Sequence, residues 1–288
     1  MEPSVYERGE WERIRAWKRE RHAPVGRARQ IMSLPIEKAA SFLSRVPGVT
    51  WAVDRSVGPL VGALNGFAQS SVRPAAIHGA YRNRGHAHVQ GHGDVSSLDL
   101  EDIDRTIGLL AAKYKAMALA EGAATGLAGA GGIPVDVVAL VLLNLRAIGE
   151  YATYCGFDIA GQQERLFAMN VLGFASGPTP RQKLQALAQL ARVARDLSSR
   201  KPWKELRKHT LIRIIKQLAK SLGIRLTKAK LAQLIPAAGA LVGGVFNARF
   251  TSSVCEAASM LYRERFLTEK YGAALAETPP IALLPARA

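Results

Sequence analysis

The chain is expected to be all-α, a multi-helix bundle with glycine-rich helical hairpins. Three observations predict this. Apolar residues recur at helical spacing in most segments, and no stretch alternates apolar and polar residues as a half-buried strand would. Two long apolar runs, residues 122–145 and 231–248, also each contain a Gly-x-x-x-Gly spacing, Gly122/Gly126 in the first and Gly239/Gly243 in the second. Glycines four apart on a helix leave a groove into which another backbone can pack, inside a protein core or inside a bilayer. The two runs share a single charge, Asp136.

The 288 residues can bury a large core, and 48% apolar content is ordinary for a globular protein. The formal charge of +16, with a pI near 10.2, points to an anionic partner such as lipid headgroups or nucleic acid. The two cysteines, Cys155 and Cys255, are not expected to form a disulfide framework and fit reduced thiols in a cytosolic compartment. The first residues mix Glu2, Glu7, Glu10 and Glu12 with Arg8, Arg13, Arg15, Lys18 and Arg19, so they lack the apolar core that a secretory signal needs.

In chain order, Trp11, Ile14 and Trp17 recur at helical spacing in this charged start, and residues 35–67 form a second amphipathic run broken by Pro47-Gly48 and Gly58-Pro59. Together, residues 1–78 are expected to be an amphipathic N-terminal region of short docking helices. Residues 79–96, rich in Gly, His, Arg and Asn, are the candidate linker. The main helical domain is expected over residues 97–272. Its first helix starts with Ser97 as cap and acids in the first turn, then runs to about Gly122. Gly129, Gly131, Gly132 and Pro134 break the chain, and a long apolar helix from 135 to 155 ends at Gly156, closing a hairpin. Further helices are read at 161–173, 181–197, 202–222, 227–244 and 249–271, and residues 273–288 form a flexible Pro-rich tail.

Several ordered motifs carry a family resemblance. These are Glu121-Gly-Ala-Ala-Thr-Gly126, Gly-Ile-Pro-Val-Asp136, Leu145-Arg146-Ala-Ile-Gly-Glu150, Tyr154-Cys-Gly-Phe-Asp158 and Ile235-Pro-Ala-Ala-Gly-Ala-Leu-Val-Gly-Gly-Val-Phe-Asn247. In order and spacing they resemble the EcsC family over residues 98–271, leaving the first 95 residues unmatched. The family is bacterial and is named for a protein encoded beside an ABC transporter implicated in secretion. The resemblance implies a helical fold and a transport-linked setting, and no mechanism.

On a helix turning about 100° per residue, Asp136, Arg146, Glu150 and Tyr154 fall within an arc of roughly 80°. One polar stripe therefore runs down an apolar helix. Arg146 and Glu150 are four apart and can pair; Asp136 lies about 15 Å away along the axis and needs another partner, such as helix N-terminal amides, Thr125 or a cation on another helix. With Glu121, these residues either line a polar pocket that binds a ligand or moves protons, or form a buried ion-pair network that fixes helix register. Gly122, Gly126, Gly239, Gly243 and Asn247 are the expected helix-packing positions.

His86, His88, His92 and Asp94, with His78 upstream, offer enough imidazole and carboxylate for a divalent metal. The alternative is a solvated basic linker. Residues 202–222 form a basic amphipathic helix whose Trp203, Lys204, Arg207, Lys208, Arg213, Lys216 and Lys220 suit an anionic membrane surface, or else an ordinary surface helix. Nucleic acid is the weaker partner, since aromatics for base stacking are few and no binding motif is present.

Neither glycine-laced run makes a simple membrane span: residues 135–145 are too short before Arg146, and residues 231–248 contain Gln233, Pro236 and Asn247. Tightly packed core hairpins are expected, with re-entrant insertion second. The functional expectation is a non-enzymatic, membrane-associated accessory protein linked to ABC transport or secretion, peripheral or monotopic at the inner face of the cytoplasmic membrane, with no cofactor. The competing expectations are a metal-dependent hydrolase using the histidines and a lipid or peptide carrier with an interhelical polar pocket.

Overall fold

A computed structural model describes residues 2–22, 72–126, 133–177, 239–272 and 275. Among them every regular element is a helix and no strand occurs. Helix α1 (Val5–His22) opens with a reciprocal capping box. The Glu7 N–H donates to Ser4 Oγ at 3.1 Å, and the Ser4 N–H donates to Glu7 Oε2 at 2.9 Å. The helix buries Ile14 and Trp17, as the spacing of its apolar residues predicts.

Helix α2 (Pro74–Arg82) begins on a proline, whose missing N–H costs nothing at that position. A one-turn helix α3 (His92–Val95) follows. The stretch expected to be a linker is folded onto the body: Tyr81, Val89 and Val95 are fully buried. Their wide spacing hides them from any periodicity count. Arg82 donates to the Val89 carbonyl at 3.0 Å, and the Tyr81 hydroxyl donates to the Tyr154 carbonyl at 2.5 Å.

The single helix expected from residue 97 to about Gly122 is two helices, α4 (Leu100–Ile107) and α5 (Leu110–Gly126). Gly108, at φ +52°, turns the chain between them, a backbone state that glycine adopts without the strain a side chain would bring. The cap is Asp99 rather than Ser97: its carboxylate accepts from the Glu101 N–H at 2.8 Å.

Helix α6 (Ile133–Tyr154) ends where the sequence places the stop, with Gly156 at φ +83°. A Cβ at Gly156 would lie 2.9 Å from the His92 carbonyl oxygen, so α3 rests directly on this turn. Helix α7 (Gln162–Ser176) follows.

The last helix, α8 (Gly239–Tyr271), is 33 residues long, about 50 Å, where two helices meeting near Gly244 were expected. Tertiary packing overrides the glycine signal. A Cβ at Gly244 would sit 2.8 Å from the Leu119 carbonyl oxygen, so the missing side chain lets α5 and α8 approach closely. Helix α8 is the spine: α5, α6, α7 and α1 pack on it, while α6 also touches α2, α4, α5 and α7.

No helix among the described residues is long and apolar enough to cross a membrane. The expected helices at 35–67, 181–197 and 202–222, and the start of the one at 227–244, lie outside the described residues. So does the tail, apart from Leu275, which is buried in the core.

Candidate functional site

The expected polar stripe on α6 has its centre at Glu150. That carboxylate is buried and receives Lys113 from α5, with Nζ 3.1 Å from Oε2 and 3.3 Å from Oε1. Arg146, one turn earlier, brings Nε to 3.5 Å from Oε1. The acid is 10% exposed, while the Lys113 and Arg146 side chains are 50% and 39% exposed, so the pair opens outward through its cations. Burial, then the Glu150 charge, push the Tyr114 hydroxyl above the ordinary phenol range. Burial and the same charge raise Tyr154, with Arg84 opposing. Both phenols therefore stay protonated at neutral pH.

Glu121 of the predicted seam is not part of this centre. Glu121, on α5, accepts from Asn247 Nδ2 of α8 at 2.8 Å, a separate contact that ties those two helices together. The side chains of Thr125 and Asp136 lie outside the described residues, although their backbones belong to α5 and α6. Gly122 is buried on α5, and Gly126, Gly239 and Gly243 sit in helical backbone. Close approach is shown at Gly244, the neighbour of the glycine singled out from sequence.

Three further charged clusters surround α8, and sequence spacing alone did not reveal them. Glu7 is fully buried; its carboxylate accepts from Lys270 Nζ at 2.9 Å, the Tyr271 hydroxyl at 2.5 Å, the Ser4 N–H at 2.9 Å and the Leu100 N–H at 3.3 Å. Burial alone would raise its pKa, but the bonds from Tyr271, Ser4 and Lys270 outweigh it and hold the group below the ordinary glutamate range. Arg263 lies between Glu10, at 3.1 Å, and Asp104, at 2.8 Å, while the Tyr6 hydroxyl donates to Asp104 at 2.7 Å. Here burial wins and Asp104 is raised, with Arg263 and Tyr6 opposing.

The third cluster joins Arg265 to Glu164 at 2.6 Å, with the guanidinium 4.0 Å from the Phe157 ring centre and 5.0 Å from that of Phe167. Burial raises Glu164 despite Arg265, and the Tyr262 hydroxyl is raised strongly by burial and by that carboxylate.

The histidines are dispersed. His86 Nε2 is 3.9 Å from Asp102, His92 Nε2 is 3.7 Å from Asp158, and His88 Nε2 is 3.4 Å from Ser97 Oγ. His78 meets His92 edge to face, ring centres 5.0 Å apart. Asp94 accepts from the backbone N–H groups of Gln90 and Gly91, each at 2.8 Å, which lower its pKa and leave it serving the turn. Among the described residues no group of three or more His, Cys, Asp or Glu is placed to hold a metal ion. The hydrolase expectation therefore gains no support from this turn. The membrane-surface residues named on 202–222 lie outside the described residues.

A long helix, α8, wrapped by shorter ones whose buried carboxylates close onto lysine and arginine, defines an all-helical bundle locked by internal ion pairs. The chain belongs to the EcsC protein family, whose sequence model matches residues 8–267. That match takes in α1 and α2, beyond the residues where the motifs alone had shown the resemblance. The chain is similar to "Protein EcsC" of Bacillus subtilis (strain 168), with 27% identity over 183 residues, 62% of this chain and 70% of that protein. It is also similar to "Uncharacterized protein YdbA" of the same organism, with 28% identity over 160 residues, 53% of this chain and 54% of that protein, so it spans about half of YdbA. No solved structure matches the chain.

Proposed function

We propose that this is a non-enzymatic accessory protein that docks peripherally on the inner face of the cytoplasmic membrane and serves a membrane partner of the ABC transport or secretion type. The observation that carries the reading is where the acids go. Glu7, Glu10, Asp104, Glu150 and Glu164 are spent inward on Lys270, Arg263, Lys113, Arg146 and Arg265. The chain carries 39 Lys and Arg against 23 Asp and Glu, so it keeps its positive surplus when these pairs are set aside. A surplus of that kind attracts anionic lipid at about 1 kcal/mol per basic residue near the surface, screened by salt. Residues 202–222, basic and amphipathic in sequence, are the natural place for part of that contact. The transport setting rests on family membership.

Vesicle flotation tests the reading. The full chain is expected to float with vesicles containing phosphatidylglycerol, to float poorly with phosphatidylcholine alone, and to be released by high salt. Flotation indifferent to lipid charge and salt, or no flotation, overturns it.

A further inference from the structure

We infer that the outer face of α5 is itself a lipid-contacting surface, lying flat on an anionic membrane. This rests on the membrane reading above and names the part of the body that touches the bilayer. Large apolar residues are well exposed at four positions among the described residues: Val5, Leu109, Met117 and Leu119. Three of the four belong to α5 or to the residue that leads into it. Leu109 is 83% exposed, and Leu119 and Met117 are 46% and 39% exposed.

At about 100° per residue, Leu109, Ala112, Ala116, Leu119 and Ala120 share one arc, and Met117 lies outside it, beyond Lys113. Ala112, Ala116 and Ala120 are all exposed. The opposite arc, with Leu110, Tyr114 and Ala118, is buried in the body. Helix α8 also meets the C-terminal end of the near arc, where Gly244 lies against the Leu119 carbonyl and side chain and the Ala123 N–H, so the open strip is the part formed by Leu109, Ala112, Ala116 and Ala120. The open strip, over residues 109–120, is about 17 Å long and apolar along its centre.

Charge identifies the occupant. Lys115 stands on one edge of the apolar arc and Lys113 on the other, both exposed. Lys115 meets no carboxylate among the described residues, and Lys113 and Arg146 together face only Glu150. The sole acid of α5, Glu121, lies on the inner side and holds Asn247. An apolar strip with Lys115, unpaired among the described residues, on one border and the half-exposed Lys113, held to Glu150, on the other is the pattern of a helix resting at the headgroup level, stems along the acyl chains and amines toward the phosphates.

One of the chain's remaining segments, residues 181–238, suits the face poorly. Residues 181–238 carry Lys and Arg throughout against only Asp196 and Glu205, so covering α5 with them would set like charges together. A second copy of α5 would do the same with its own lysines.

The test uses the full chain with vesicles of phosphatidylglycerol and phosphatidylcholine. Leu109→Glu and Ala116→Glu are each expected to weaken binding by about tenfold, and Lys115→Glu by at least about fivefold. Ser252→Glu, at an exposed position of α8, controls for an added charge elsewhere and is expected to change binding little. Unchanged thermal midpoints establish that the variants are folded. An environment-sensitive dye on Ala116→Cys is expected to shift to the blue when vesicles are added, and one on Ser252→Cys is not. The native thiols are buried and do not compete.

If the wild-type chain floats and the α5 variants float equally well, the α5 surface is refuted while the membrane reading stands. If the wild type does not float, the membrane reading fails and takes this inference with it. A dye at position 116 already shielded without vesicles means that another part of the chain, or a second copy, covers the face, and that too overturns the proposal.

Discussion

Glu7→Gln tests how the two ends of the chain are held together. Glutamine keeps the shape of the side chain but replaces one acceptor oxygen with a donor and removes the charge. Four donors converge on the two oxygens: Lys270 Nζ at 2.9 Å and the Leu100 N–H at 3.3 Å on one, the Ser4 N–H at 2.9 Å and the Tyr271 hydroxyl at 2.5 Å on the other. Whichever way the amide turns, its NH2 group faces a donor. Hydrogen bonds to charged groups contribute about 1.5–3 kcal/mol, and removing one partner of a buried ion pair costs about 3–5 kcal/mol. Lys270 keeps the Leu98 carbonyl at 2.6 Å, which places the expected loss near the lower end, about 3 kcal/mol at pH 7.

Urea denaturation of wild type and variant reads this directly. A loss below about 1 kcal/mol would refute the reasoning, since that is what an ordinary substitution costs. The pH dependence supplies an independent check. The folded pKa of Glu7 is lowered, so its contribution is present in full above the unfolded value of about 4.3 and disappears as pH falls through the folded value. The gap between wild type and Glu7→Gln must therefore close in acid. Adding Lys270→Met to Glu7→Gln should restore stability, because the stranded ammonium is the main cost. A double variant no better than Glu7→Gln would place that cost elsewhere.

Three other outcomes are expected. Gly244→Val, which puts a branched side chain where even a Cβ would lie 2.8 Å from the Leu119 carbonyl oxygen, should destabilise by about 1–3 kcal/mol by thermal unfolding. Lys113→Met should cost about 1 kcal/mol or less in the same assay, because this lysine is half exposed and Arg146 still faces Glu150. Burial pushes the Cys255 thiol up to about 12 and Cys155 higher still, so neither should react with a disulfide reagent at pH 8 until denaturant is added.

The parts of the fold legible in the sequence are those with local causes. The periodic Trp11, Ile14 and Trp17 marked α1, and the stop at Gly156 needed only a glycine free to take φ +83°. The pairing of Arg146 with Glu150 followed from their spacing of four, but Lys113 belongs to another helix and no spacing rule reaches it. The break at Gly108 and the continuity through Gly244 were read the wrong way round. A helix tolerates an internal glycine at a cost of about 1 kcal/mol when a neighbour packs into the gap, and that neighbour, Leu119, is invisible in local sequence. A non-local signal was nonetheless present. Glu256, Arg263 and Lys270 recur every seven residues and share one face of α8, while Glu10 and Trp17 are seven apart on α1. Trp17 meets Glu256, Glu10 meets Arg263 and Glu7 meets Lys270, so the matched periods describe one antiparallel helix pair.

That ladder explains why a strongly basic chain can hold a compact body. Self-repulsion among 39 Lys and Arg residues opposes folding, and acids distributed over the surface would relieve it only weakly, at about 0–1 kcal/mol per exposed pair. Here the acids of α1, α4 and α7 are set instead against the cations of α8, most of them shielded from solvent, where opposite charges attract through a lower dielectric and salt screens them less. On the α1 side of the spine Glu7 and Glu10 are closed onto cations of α8, whereas α5 exposes apolar residues and Lys115. A body that only needed to stay folded could have placed its acids on either side. Under the proposal above, α5, with its apolar centre and Lys115 at one margin, is the part of the body that would meet an anionic surface.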